Sequence, residues 1–119
     1  MKTLKLNLKR KWFDMIACGE KKEEYREAKY FWICRLLDKN LEVSELNAVI
    51  PGTANTYLDV WKRDFDQVEF QNGYHKNAPT VTVEFKGLDY GKAKPEWSDG
   101  WQGEFFIIKL GNIISTENM

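Results

Sequence analysis

The start of the chain predicts a β-strand followed by a short helix. Residues 4–8, LKLNL, alternate apolar and polar side chains, which is the period of a half-buried strand. Beyond residue 9 the apolar positions shift to helical spacing, at Trp12, Phe13, Ile16 and Ala17. Gly19 follows the last of these and suits the left-handed residue that ends a helix. We therefore expect a strand that leads into a helix ending at Gly19.

The second half of the chain returns to a period of two. Residues 66–70 precede the turn signal Asn72-Gly73, and residues 80–85 (TVTVEF) alternate apolar and polar side chains. Residues 104–114 form a long apolar run, as expected of a central strand buried on both sides. Between the last two segments, residues 87–103 are rich in Gly, Trp and Lys, which predicts a loop.

The middle of the chain is less regular. Residues 22–26 have the character of a short strand, and residues 30–37 (YFWICRLL) form an apolar block that fits either a helix or a buried turn of chain. Within residues 38–66 the helical spacing indicates a second helix at Leu58, Trp61 and Phe65. Five strands with one or two helices predict a small α+β barrel.

Composition and charge narrow the class of protein. The 119 residues are 43% hydrophobic and 30% charged with no net charge, which fits one globular domain and disfavours a general polyanion binder. The charges are unevenly distributed, because residues 1–35 hold ten basic and five acidic side chains, whereas residues 36–119 hold eight and thirteen. Either the N-terminal third forms a positive face, or the fold interleaves these segments and the asymmetry cancels.

Cysteine usage and the start of the chain indicate a reducing compartment. Cys18 and Cys34 have neither zinc-type spacing nor a disulfide framework, and their apolar surroundings predict buried, reduced thiols. The first residues lack the apolar run of a signal peptide, and no stretch approaches the roughly 18 apolar residues of a membrane span. We therefore expect a cytoplasmic protein with no membrane association, no metal and no cofactor.

A dense charged segment, GEKKEEYR at residues 19–26, joins the predicted helix to the next strand. On a strand Glu24 and Arg26 share a face, while Lys21 approaches from the rim just after the helix. Two cations around one carboxylate at a barrel mouth are costly to desolvate, which favours a ligand-binding role. Arg26 offers a planar fork for phosphate or carboxylate, and Glu24 can position Arg26 or accept from the amine of a base. The alternative is a solvated strand edge whose charges discourage aggregation.

The spacing Gly19-x-Lys21-x-x-Glu24-x-Arg26 resembles the signature of the ASCH domain family, a branch of the PUA-like β-barrels. The segment Trp12-Phe13-Asp14-x-Ile16 is similar to the first helix of that family. Further likeness to its small bacterial and phage members lies in Glu24-Tyr25-Arg26 with Trp32 and Arg35, in Phe70-x-x-Gly73-Tyr74 and in residues 107–111 (IIKLG). The resemblance covers both ends of the chain and is weak only over about residues 38–66.

The resemblance implies a single ASCH domain over residues 1–119. Its fold would be an α+β, PUA-like small mixed β-barrel of five to six strands with two or three short helices. It also implies a cleft between the barrel and the first helix that receives RNA, a nucleotide or a modified nucleoside. The ligand-binding residues implied in this way are Lys21, Glu24, Tyr25, Arg26, Arg35 and Tyr74.

Catalysis remains an open alternative. Some ASCH proteins of this size are amidohydrolases that remove the acetyl group from acetylated cytidine. They have a threonine three residues after the motif lysine, where this chain has Glu24, and a glutamate from a later strand, for which Glu84 could stand in by spacing. If the chain is an enzyme, Lys21 and Glu24 are its catalytic candidates. A carboxylate beside Lys21 would keep the lysine charged, which disfavours base chemistry.

Two other functions are also open. Some ASCH proteins are ribonucleases, but His75 is the only histidine, so no two-histidine acid–base pair exists. A protein-interaction module would fit an exposed surface at Trp61 and Phe65. RNA or nucleotide binding fits best, because the loop at residues 87–103 offers aromatic side chains for stacking, unless Trp97 and Trp101 instead cap the end of the barrel.

Overall fold

The computed structural model of the protein describes residues 2–27, 32, 35, 36 and 65–119. Five strands and one α-helix are bounded within them. They follow the order β1 (Thr3–Asn7), α1 (Arg10–Ala17), β2 (Glu23–Arg26), β3 (Gln67–Gln71), β4 (Thr80–Lys92) and β5 (Glu104–Glu117). A short 3₁₀ helix, Pro95–Trp97, precedes β5. The predicted α+β class is confirmed.

The five strands form one sheet in the order β1-β3-β4-β5-β2. β1 runs parallel to β3, and β3 runs antiparallel to β4. Strands β1 and β2 stand at the two ends of this order, so in the described residues the sheet is not closed. The predicted strand number is met, whereas the predicted barrel is not confirmed.

Part of the middle segment lies outside the described residues. Trp32, Arg35 and Leu36 have helical backbone, which agrees with the helical alternative for residues 30–37. The second helix predicted at Leu58, Trp61 and Phe65 falls outside the described residues except at Phe65. Phe65 is not helical, and its ring packs edge-on against Phe85 with centroids 5.4 Å apart.

The chain divides into two compact units. Unit 1 consists of Met1–Glu24, Asp64–Gly87 and Lys109–Met119, and unit 2 consists of Tyr25–Arg63 and Leu88–Ile108. The division falls within β2, between Glu24 and Tyr25, so the charged segment contributes residues to both units.

Strand register builds the core of unit 1. Leu4 lies opposite Val68, and Val68 lies opposite Val83 on the next strand. All three side chains are buried, as are those of the parallel row formed by Leu6, Phe70 and Val81. Alternation of period two therefore places these two apolar rows on the same side of the sheet, as expected of the strands at residues 4–8, 66–70 and 80–85. In residues 80–85 Thr82 is buried as well, so β4 is not exposed on alternate positions there.

Helix α1 follows the predicted pattern and ends where Gly19 allows it. Phe13 and Ile16 are buried on one face of the helix. Gly19 has φ +84°, a left-handed conformation that costs a glycine little, and its N–H donates to the Ile16 carbonyl at 3.0 Å. Cys18 caps this end and is exposed, so the buried thiol predicted there is wrong; Cys34 lies outside the described residues.

In unit 2 the predicted loop at residues 87–103 is shorter than expected. β4 continues to Lys92, because Leu88 and Tyr90 prolong the period-two pattern and are both buried. The Tyr90 ring packs edge-on against Phe106 with centroids 5.6 Å apart. Strand β5 begins with four consecutive buried residues, 105–108, and so matches the expected central strand there, whereas residues 112–117 are exposed.

Gly111 on β5 is a position where a side chain has no room. A Cβ at Gly111 would lie 2.9 Å from the Glu84 Cβ and 2.6 Å from the Lys86 Cε. We predict that Gly111→Ala lowers the free energy of unfolding by about 1–3 kcal/mol, because neighbouring side chains must shift. Urea unfolding measures this difference.

The matched control is Gly91→Ala on β4, where the new Cβ would meet only the Ile107 Cδ1 at an ordinary 3.6 Å. We expect this variant to be neutral or slightly more stable than the wild type. Equal losses for the two variants would contradict the close approach at Gly111.

Candidate functional site

The end of α1 fixes the backbone of Lys21. The N–H groups of Glu20 and Lys21 both donate to the Met15 carbonyl at 2.9 Å. This turn directs the chain from the helix into β2. Next to Lys21, the Lys22 carbonyl accepts the N–H of Leu110 on β5 at 2.9 Å. The lysine of the motif is therefore held by the helix end and the adjoining strand rather than by a mobile loop.

Lys21 and Glu24 form a buried ion pair within unit 1. The Lys21 Nζ lies 3.2 Å from the Glu24 Oε1, and the two side chains are 0% and 6% exposed. The same ammonium donates to the Glu23 carbonyl and lies 5.2 Å from the centre of the Trp12 ring. A desolvated lysine needs acceptors of this kind, because an uncompensated buried charge costs several kcal/mol.

This arrangement limits what Lys21 can do chemically. A lysine that acts as base or nucleophile must lose its proton and reach the substrate. Here the amine is already engaged by the carboxylate, the carbonyl and the indole, and the side chain is inaccessible to solvent. The geometry fits a fixed positive charge that holds Glu24 in place.

Unit 2 contains a pocket of about 120 Å³ whose lining mixes aromatic and charged side chains. The lining residues are Tyr25, Arg26, Glu27, Trp32 and Trp101. Tyr25 is 1% exposed, because its side chain packs in a buried cluster with Ala93, Phe105 and Ile107. Its hydroxyl accepts the Lys94 N–H at 3.2 Å, which fastens the start of the loop that carries Trp101.

Two arginines lie over one tryptophan of the pocket. The guanidinium carbon of Arg26 lies 5.0 Å from the centre of the Trp32 ring, and that of Arg35 lies 5.5 Å from it. Arg26 also donates from Nη1 to the Tyr25 carbonyl at 2.9 Å, which orients its planar head. Cation–π contact and this hydrogen bond together hold Arg26 where it lines the pocket.

The loop after β4 presents Trp101. Pro95–Trp97 forms one 3₁₀ turn, and the Gly100 N–H donates to the Pro95 carbonyl at 3.2 Å. Trp101 then packs against Phe105 with ring centroids 5.3 Å apart and remains 47% exposed. Trp97 instead packs against the buried cluster around Tyr25. The two tryptophans therefore have different roles, because Trp97 packs on the core and Trp101 lines the pocket.

The predicted site residues are distributed over the two units. Tyr25 and Arg26 line the unit 2 pocket, and Arg35 contacts that pocket's Trp32, whereas Lys21 and Glu24 form their own pair in unit 1. The convergence of all three motif charges on one ligand thus stays a prediction. Sequence reasoning missed two lining residues, Glu27 and Trp32, although both lie close to Arg26 in the chain and Trp32 is spaced three residues from Arg35.

Tyr74 lies in unit 1, in the turn between β3 and β4, and is 90% exposed. Side-chain hydrogen bonds hold the turn, since the Asn72 amide donates to the Leu8 carbonyl at 2.9 Å and the Asn7 amide donates to the Gly73 carbonyl. The turn is thus well anchored while its aromatic side chain faces solvent. A ligand-binding role for Tyr74 stays a prediction.

Glu84 on β4 has structural contacts in unit 1. Its Oε1 accepts the backbone N–H of Asn112 at 2.9 Å, and its Oε2 lies 3.3 Å from the Lys86 Nζ. The hydrogen bond from Asn112, and then Lys86, hold the pKa of Glu84 below the ordinary glutamate value. These contacts tie β4 to β5 and account for Glu84 without a catalytic role.

Two further features are absent from the described residues. No group of three or more His, Cys, Asp or Glu side chains among them could hold a metal ion. None of their helices is long and apolar enough to cross a membrane.

Comparison of the chain with protein-family models, with curated proteins and with solved structures finds no match. The resemblance to the ASCH family therefore depends on the motif residues and their flanking segments alone.

Because the Lys21–Glu24 pair is buried, we expect the loss of one partner to destabilise the protein strongly. Glu24→Leu leaves the Lys21 ammonium buried without its carboxylate and should lower the free energy of unfolding by about 3–5 kcal/mol. The double variant Lys21→Met/Glu24→Leu should recover much of this loss, because no charge is left buried. Urea unfolding of the three proteins measures both effects.

The exposed ion pair of α1 provides the control. The Arg10 Nε lies 3.1 Å from the Asp14 Oδ1, and the two side chains are 67% and 55% exposed. Asp14→Ala should therefore lower the free energy of unfolding by less than about 1 kcal/mol. A Glu24→Leu loss as small as that of Asp14→Ala would show that the Lys21–Glu24 pair is not buried in solution.

Glu84 predicts a pH-dependent contribution to stability. A carboxyl whose pKa is lower in the folded than in the unfolded chain stabilises the fold above its unfolded pKa, and this contribution disappears as the pH falls through the folded pKa. Glu84→Gln should therefore be less stable than the wild type at pH 7, and the difference should shrink below about pH 4. Unfolding curves from neutral to acidic pH test this, and a difference that does not change with pH would refute it.

Proposed function

We propose that the chain is an ASCH-type, PUA-like domain that binds RNA or a nucleotide, and that the unit 2 pocket receives the base. The observation that carries this proposal is the composition of the pocket, in which two tryptophans and a tyrosine lie beside an arginine and a glutamate. This set combines flat apolar surfaces with one cationic and one anionic hydrogen-bonding group. The closed barrel that the family resemblance implies is part of the same proposal.

Stacking supplies the sequence-tolerant part of recognition. Nucleobases stack on exposed aromatic rings, and each such contact is worth roughly 1–3 kcal/mol. Trp101 suits this role, because its ring is 47% exposed and Phe105 supports it from within the unit. A ring that is both accessible and braced loses little freedom when a base covers it.

The charged side chains suit the polar parts of a nucleotide. Arg26 presents a planar guanidinium that matches phosphate geometry, and its head is already oriented by the Tyr25 carbonyl and the Trp32 ring. Glu27 is exposed at the pocket, where a carboxylate can accept a hydrogen bond from the exocyclic amine of a base. Aromatic stacking flanked by such groups is the usual mode of single-stranded RNA recognition.

Size and net charge favour a short ligand. A volume of about 120 Å³ accommodates a planar ring rather than a folded polymer segment, and the chain has no net charge to attract a long polyanion. A single nucleotide, a modified nucleoside or a short single strand fits these limits.

Binding is favoured over amide hydrolysis by the state of the candidate catalytic residues. The Lys21 side chain is 0% exposed and paired with Glu24, so a substrate would have to displace that carboxylate before reaching the amine. Arg26 and Trp101, by contrast, already line an open pocket.

Replacement of Trp101 tests the proposed function. We predict that Trp101→Ala weakens binding of the best ligand by roughly 5–100-fold, because stacking of the base is lost. The thermal midpoint should change little, since the ring is half exposed. Isothermal titration with ribonucleosides, nucleotides and short RNAs, followed by the same titrations on the variant, provides the measurement.

Trp101→Phe is the matched control, because it keeps an aromatic face on the same backbone. It should retain most of the affinity that Trp101→Ala loses. Equal affinity of the wild type and Trp101→Ala for every ligand bound, or no binding of any nucleic-acid component, would overturn the proposal.

A further inference from the structure

Arg26, which lines the pocket, and Arg35, which is not among its described lining residues, both contact the indole of Trp32. Both guanidinium carbons lie within 5.5 Å of the centre of the Trp32 ring. Trp32, Arg26 and Arg35 are all partly buried, so their charges are only partly screened by water. We call these three residues the Trp32 cluster.

We propose, building on the nucleotide-binding role proposed above, that the Trp32 cluster is a phosphate subsite. The pocket then takes a base that carries a phosphate, and it discriminates against the free nucleoside. Trp32 is a positioning residue in this scheme, whereas Trp101 contacts the base.

Electrostatics supports an anion beside this ring. Two guanidinium groups in contact with one ring bring two positive charges close together, and a phosphate offers both of them an acceptor. Glu27 is the single carboxylate among the described residues that line the pocket. The cluster therefore offers donors for an anion, and this carboxylate offers an acceptor for the amine of a base.

The geometry of the arginines suits phosphate in particular. A guanidinium has five N–H donors in a fixed plane, and a pair of them can bind two phosphate oxygens at once. The hydrogen bond from Arg26 to the Tyr25 carbonyl and the ring contact with Trp32 restrict the rotation of this plane. A donor group that is oriented before binding loses less entropy when a phosphate arrives.

The division of roles gives each variant its own signature. Loss of Trp101 should weaken nucleoside and nucleotide by the same factor, because both contain the base. Loss of an arginine of the cluster should weaken the nucleotide alone. Loss of Trp32 should imitate loss of an arginine, since the ring acts on the ligand through the two guanidinium groups.

The test compares the four ribonucleosides with their 5′-monophosphates by isothermal titration. The wild type should bind the preferred monophosphate roughly 10–100-fold more tightly than its nucleoside, as expected of charge-assisted hydrogen bonds. Arg35→Gln should reduce this ratio by roughly 3–10-fold without changing the affinity for the nucleoside. Trp32→Leu should reduce the ratio in the same direction, and raised salt should diminish it for the wild type.

Arg10→Gln serves as the matched control. It removes the same charge from an arginine of unit 1 that is paired with Asp14 on α1 and does not belong to the Trp32 cluster. The ratio should be unchanged in this variant. An equal reduction in Arg10→Gln and Arg35→Gln would show a general charge effect and overturn the subsite.

A dinucleoside monophosphate without a terminal phosphate separates the two sources of the anion. Affinity equal to that of the mononucleotide would assign the subsite to a bridging RNA phosphate, and affinity equal to that of the nucleoside would assign it to a terminal phosphate. Equal binding of nucleoside and monophosphate by the wild type would refute the subsite and leave the base-binding proposal standing. Absence of binding by all of these probes would overturn both proposals.

Discussion

The burial of Tyr25 is the constraint on which the candidate pocket depends. Its ring packs with Ala93, Phe105 and Ile107, and its hydroxyl accepts the N–H of Lys94, a residue 69 positions away in the chain. A buried tyrosine hydroxyl without a hydrogen-bond partner is costly, so the packing of the ring and this hydrogen bond depend on each other. Because Tyr25 immediately precedes Arg26, the same contacts that bury the ring set the position of the guanidinium and of the loop leading to Trp101.

The charged residues of the segment 19–26 have two different roles. Lys21 and Glu24 neutralise each other out of contact with water and fix the passage from α1 into β2. Arg26, at the end of the strand, lines a pocket and is held by an indole and a backbone carbonyl. Arg26 follows Glu24 by two residues on β2, so it is carried by a strand rather than by a loop, which is what a precise binding site requires.

Much of the fold follows from the sequence pattern, and the site follows from it only in part. Period-two alternation and the glycine at position 19 specify β1, α1 and the start of β4, because local geometry alone decides which face is buried. The predicted loop is wrong over residues 87–92, because the alternation of Leu88 and Tyr90 continues β4 past Gly87 despite the Gly-rich composition of this segment. The charged motif identified Arg26, but the contact of Arg26 with Trp32 depends on tertiary packing that spacing does not encode.

The five tryptophans offer the most direct measurement of the central claim, which is that a nucleotide binds at Trp32 and Trp101. Each indole N–H gives its own NMR resonance, and Trp→Phe variants assign them. Titration with ribonucleoside 5′-monophosphates should shift the resonances of Trp32 and Trp101 in proportion to the bound fraction and leave that of Trp12, which is not among the described residues that line the pocket, nearly unchanged. Shifts at Trp12 with none at Trp32 and Trp101, at saturating ligand, would contradict the account.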